Sequence, residues 1–165
     1  MQLRRPSSLM IATSFLWVGI ILTACRERPP VTLRTDTEPL TKRIVLPKAI
    51  RSARWVAVSP VHDSGWVPPK TEFYDVYAYI EFDEAAWTEM QKSAGDARSR
   101  DTIVIPDRVA TVLIPPASMA EFSSSDGGRR AEGPSFNLAV SDKEKTDMQG
   151  AIRVGGALVV LMRVH

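Results

Sequence analysis

The amino-acid sequence predicts an α+β fold, a mostly antiparallel sheet with one main helix packed on one face. Three observations carry this expectation. Apolar and polar residues alternate from Glu72 to Phe82, a capped stretch of helical period follows from Asp83 to Ala94, and strand-like segments crowd the C-terminal part. No internal repeat occurs at the periods that mark solenoids or propellers.

The chain opens with a leader. Arg4 and Arg5 supply a positive start, and Leu9 to Leu22 form an uncharged apolar stretch, the layout of a signal peptide. That stretch is shorter than the roughly 20 residues needed to cross a bilayer as a helix, and Gly19 weakens its end. Leu22-Thr23-Ala24-Cys25 then resembles the lipobox of bacterial lipoproteins, a large aliphatic residue and two small ones before a cysteine. The resemblance implies that residues 1–24 are removed and that Cys25 carries a covalent acyl lipid. The competing readings are an uncleaved anchor helix and plain secretion. Each buried methylene contributes about 0.8 kcal/mol, so two or three acyl chains hold a soluble domain at a membrane. In enteric bacteria an aspartate after the cysteine signals inner-membrane retention. Arg26 therefore fits an outer-membrane lipoprotein facing the periplasm.

Residues 25–42 read as a flexible tether, because Pro29, Pro30 and Pro39 sit among charges and threonines with no apolar period. A single domain is expected over residues 43–165. Ile44-Val45-Leu46 and Arg54 to Val58 suggest two short strands, and Lys48 to Ser52 between them a turn of helix. In the Glu72 to Phe82 strand, Tyr74, Val76, Ala78, Ile80 and Phe82 share one face, expected to be core. Phe73, Asp75, Tyr77, Tyr79 and Glu81 share the other.

Asp83 has the side chain to cap the helix that follows. Ala86, Trp87, Met90 and Ala94 recur at helical spacing, and Gly95 can end the run. Thr102 to Ile105 reads as a strand. Asp107 to Leu113 reads as a short helix with Val109, Val112 and Leu113 on one side, although its β-branched content argues equally for a strand. Phe122 to Pro134, rich in Ser and Gly, is expected to be a mobile loop. Strand-like text returns at Ser135 to Val140 and Ala151 to Val154, where Gly155-Gly156 can turn the chain into Ala157 to Val164. Residues Ala157 to Met162 are apolar on both faces, as in a central strand.

Composition narrows the function. The chain is 44% hydrophobic, enough to build a packed interior. Removing Arg4 and Arg5 from the 21 Lys and Arg leaves 19 against 19 acidic residues. A balanced surface without basic clusters argues against nucleic acid as a partner. Cys25 is the one cysteine, which excludes an intramolecular disulfide and a cysteine-based zinc site.

Reactive constellations are scarce. The two histidines are His62, in the polar run His62-Asp63-Ser64-Gly65, and the terminal His165. Adjacent residues of a run rarely assemble a triad, which is built from separated positions. No metal-ligand spacing, Walker loop or nucleophile elbow occurs. The acidic side chains that could support a carboxylate-dependent hydrolase are Asp75 and Glu81, with solvated charge as the plainer reading. No catalytic residue, metal or cofactor is therefore expected beyond the acyl lipid at Cys25. The remaining candidate is aromatic. Trp66, Phe73, Tyr77 and Tyr79 could form a partner-binding surface, or could be core if the second face of the sheet is covered by Ser59 to Lys70. The expectation is a noncatalytic protein-binding module of the cell envelope. Assembly factors, secretion-system parts and immunity or inhibitor proteins against envelope-targeting toxins belong to that class.

Overall fold

The structure, a computed structural model, describes residues 30–59, 73–94 and 99–165. It has the expected α+β fold, but two antiparallel sheets replace the expected one. Strands β1 (Ile50–Val58), β2 (Tyr74–Phe82), β6 (Thr146–Val154) and β7 (Ala157–Val164) form the larger sheet in the order β1-β2-β7-β6. Strands β3 (Arg100–Pro106), β4 (Ser123–Ser125) and β5 (Gly128–Pro134) form the smaller one in the order β3-β5-β4. All pairs are antiparallel.

The alternation in β2 sorts its side chains onto two cores. Val76, Ala78, Ile80 and Phe82 join Leu158, Val160 and Met162 of β7 in one buried cluster, with Ala86, Trp87 and Met90 of helix α2 (Glu84–Ala94). Asp83 starts that helix by accepting the Ala86 N–H on its carboxylate at 2.8 Å. Trp87 packs edge-on to Phe82, with ring centroids 5.2 Å apart, and donates its indole N–H to Gly156 O at 3.2 Å. Gly95 lies outside the described residues.

The opposite face of the same sheet is buried as well. Tyr77, Tyr79 and Val159 meet Ile103 and Ile105 of β3, Ala131 of β5 and Phe122. Val109, Ala110 and Leu113 of helix α3 (Asp107–Leu113) complete this second core. α3 is helical as its spacing suggested. It buries Ala110 rather than Val112, which is half-buried. β7 lies between β2 and β6 and is apolar on both faces because both faces are covered. The β6–β7 turn falls at Gly155-Gly156, where Gly155 takes φ +55°, a left-handed conformation suited to glycine.

Several expected elements are corrected. Ile44 to Leu46 and Ser135 to Val140 are not strands; they meet through an isolated bridge, Ile44–Val140, and Ser135 bridges Ile152. Lys48 to Ser52 makes no helical turn, because β1 already begins at Ile50 and pairs with Phe82. Residues 122–134 are not a mobile loop. Ser123 to Ser125 pairs with Gly128 to Arg130, and β5 pairs along its whole length with β3. Backbone hydrogen bonds to two neighbours order this polar text without large side chains, and its small residues permit close approach. A Cβ on Gly128 would overlap the Ile105 carbonyl, and one on Gly133 the Arg153 carbonyl.

The flexible tether expected over residues 25–42 is corrected where the structure describes it. Within residues 31–42 the chain already packs on the domain. Arg34 and Trp55 exchange backbone hydrogen bonds of 2.9 Å in both directions, and the Arg34 guanidinium sits 5.0 Å from the Trp55 ring centroid. The Trp55 indole donates to Asp36 O at 2.8 Å. Val31 and Leu33 pack against the second core, while Leu40 of helix α1 (Glu38–Thr41) is buried in the first.

Candidate functional site

The residues expected to carry function fall in three places. Cys25, Trp66 and the run His62 to Gly65 lie outside the described residues. Tyr77 and Tyr79 are core, 8% and 2% exposed, so they form no solvent-facing aromatic surface. Burial raises the pKa of both phenols, with the neighbouring Asp75 adding to the rise at Tyr77. The Tyr79 hydroxyl donates to Ser118 Oγ at 2.8 Å, which satisfies its one buried polar atom. Phe73 alone of the aromatic candidates described reaches the surface, half-buried beside β2.

Phe73 belongs to a small constellation at one end of the larger sheet. Here β1 ends, β2 begins, β7 ends and β6 begins, since Val58 pairs with Asp75, Tyr74 with Val164, and Thr146 with Val164. Arg163 grips Asp75 with two contacts, Nε to Oδ1 at 2.8 Å and Nη2 to Oδ2 at 3.3 Å. Its guanidinium also lies 4.8 Å from the Phe73 ring centroid. The hydrogen bond to Asp75 raises the Arg163 pKa further. Beside them His165 Nε2 meets Asp147 Oδ2 at 2.8 Å, and the His165 ring is 6.3 Å from that of Phe73. His165 also donates its backbone N–H to Lys145 O at 2.9 Å, which ties the chain terminus to the start of β6.

These contacts determine what the site can do. Asp75 is engaged by a bidentate arginine, and Glu81 accepts the Ser52 hydroxyl at 2.6 Å. The two carboxylates stand six residues apart on one extended strand, about 20 Å. Paired glycosidase carboxylates work at roughly 5–9.5 Å, so these two cannot share a glycosidic bond. Among the described residues no group of three or more His, Cys, Asp or Glu gathers that could hold a metal ion. The neighbouring groove, lined by Leu138, Lys143, Thr146, Asp147 and Met148, has a volume of about 530 Å³ and opens broadly to solvent. Its shape suits a contact surface better than the enclosed, mostly apolar cavity typical of small-molecule sites.

Sequence reasoning missed Arg163 and Asp147. Nothing local marks them, because Asp75 and Arg163 are 88 residues apart and meet only through the β2–β7 register. The chain matches no protein-family model, and comparison with curated proteins and with solved structures finds no relative.

Proposed function

We propose that the mature protein is a lipid-anchored component of a bacterial envelope, held at the membrane through Cys25, and that its domain is a noncatalytic module that binds another envelope protein. The observation that carries the anchor is the lipobox-like Leu22-Thr23-Ala24-Cys25 directly after an uncharged apolar leader. Supporting the binding role is the character of the polar–aromatic constellation of Phe73, Asp75, Asp147, Arg163 and His165. Its charges are paired with one another, and its open surface offers contact area rather than a reacting centre. Arg26 after the cysteine favours the outer membrane, with the domain in the periplasm.

The test is Cys25→Ser in the full precursor. Processing of the leader should stop and the anchored pool should leave the outer-membrane fraction, while cross-linking in intact cells should lose the adducts that the parent forms. Unchanged processing and unchanged sedimentation would end the anchor reading. A parent chain that forms no discrete cross-linked product would end the binding reading.

A further inference from the structure

We propose that the sheet end carrying Phe73, Tyr74, Asp75, Lys145, Arg163 and His165 lies against the lipid headgroups, with the Gly155-Gly156 turn pointing away from the membrane. This rests on the acylation of Cys25 and adds to it an orientation.

The argument begins where the chain enters the domain. Arg34 and Trp55 form an antiparallel pair, so the residues before Arg34 run beside those after Trp55. Carried on from that bridge, the same register would bring Leu33 towards Val56 and Val31 towards Val58. All four contribute to the second core, as one register requires. The entry point is therefore the C-terminal end of β1. This is the same end at which β2 and β6 begin and β7 finishes.

Covalent geometry then limits the reach. Six residue steps separate Cys25 from Val31, and at most about 3.3–3.6 Å per step gives roughly 20 Å. Val58 pairs with Asp75 and Asp75 with Arg163; from that level along β7, the six steps to Ala157 span about 20 Å, and the turn lies beyond. If the Gly155-Gly156 turn rested on the bilayer, the link from Val31 to an acylated Cys25 would have to run at nearly full stretch. With the entry end down no such extension is required.

Surface chemistry at that end agrees. Tyr74 is one of three exposed large hydrophobic side chains among the described residues, at 40% exposure, and it sits here. Half-buried Phe73 lies beside it, and Arg163 is within reach of the same surface. Amphipathic rings and long basic side chains settle at the level of lipid headgroups. Among the described residues no helix is long and apolar enough to cross a membrane.

The experiment uses the full precursor, processed in cells, with one added cysteine at Lys145 or at Tyr74 near the entry end, or at Gly156 in the far turn. A side chain introduced at Gly156 meets open space. An acylated Cys25 is a thioether, so a maleimide fluorophore marks only the added thiol. The purified proteins are reconstituted into phosphatidylethanolamine–phosphatidylglycerol vesicles carrying a headgroup nitroxide lipid. Flotation with the vesicles and quenching by the nitroxide are both read. Flotation with quenching several-fold stronger at positions 145 and 74 than at 156 is the expected result. Flotation with equal quenching, or stronger quenching at 156, overturns the orientation and leaves the anchor standing. Failure to float, with the fluorophore also reacting at Cys25, overturns the anchor and the orientation with it.

Discussion

Replacing Tyr79 separates a core aromatic from a surface one. Tyr79 is 2% exposed within the second core and donates to Ser118 Oγ at 2.8 Å. Tyr79→Ala removes a buried ring and leaves a cavity between the two sheets, a change that costs about 3–5 kcal/mol for large aromatic side chains. Tyr79→Phe keeps the ring and loses one hydrogen bond, about 1 kcal/mol. A solvent-facing tyrosine would instead give less than about 0.5 kcal/mol for either change. Urea unfolding of the detergent-solubilised mature protein, followed by circular dichroism, resolves these values when the m-value is unchanged. For a domain of this size 1 kcal/mol moves Tm by roughly 3–5 °C. Alanine should then lower Tm by about 10–25 °C and phenylalanine by about 3–5 °C on the same scale. An alanine variant within about 0.5 kcal/mol of the parent would refute the second core as described.

Further outcomes follow from the same contacts. Gly133→Ala places a methyl group on the Arg153 carbonyl, so β5 must move from β6. A loss of about 1–3 kcal/mol or more is expected from overpacking, and unchanged denaturation would place the sheets differently. Asp83→Ala should cost about 1 kcal/mol and Asp83→Asn much less, because either oxygen can accept the Ala86 N–H; equal losses would remove the cap. Burial raises the Tyr77 and Tyr79 pKa values above the ordinary 10.0. The unfolded chain therefore releases those protons first, and the stability that the neutral phenols contribute is complete below pH 10 and lost as pH rises through the raised folded values. Tyrosinate absorbance should show this late component, and the Tyr77→Phe, Tyr79→Phe double variant should lack it. A double variant that still shows the whole late component would contradict the assignment.

What the sequence disclosed and what it hid have separable physical causes. β2, the start of α2 and the Gly155-Gly156 turn are legible because each depends on a local device, whether alternation, a capping carboxylate or a glycine that tolerates positive φ. The second sheet is not. Its β5 strand is built from Gly128, Ala131 and Gly133, whose small size serves close backbone approach and imitates the composition of a loop. The burial of the aromatic face of β2 is hidden for a related reason. Alternation assigns side chains to two faces, yet whether the second face is wet depends on a layer supplied by β3, α3 and β5, remote in sequence. The packing of residues 31–42 on the domain is hidden because Val31, Leu33 and Leu40 make no sustained apolar period, and they divide between the two cores. At the sheet end, the local sequence discloses Phe73 but not Arg163, since their meeting requires the β2–β7 register.

Acylation of the sulfur at position 25 is the central claim, and the intact mass of the protein extracted from its native membrane tests it most directly. The expected mass is that of a chain beginning at Cys25 and carrying diacylglycerol on the thiol. A membrane-extracted chain with an unmodified cysteine, still bearing residues 1–24 or cut elsewhere, would contradict it.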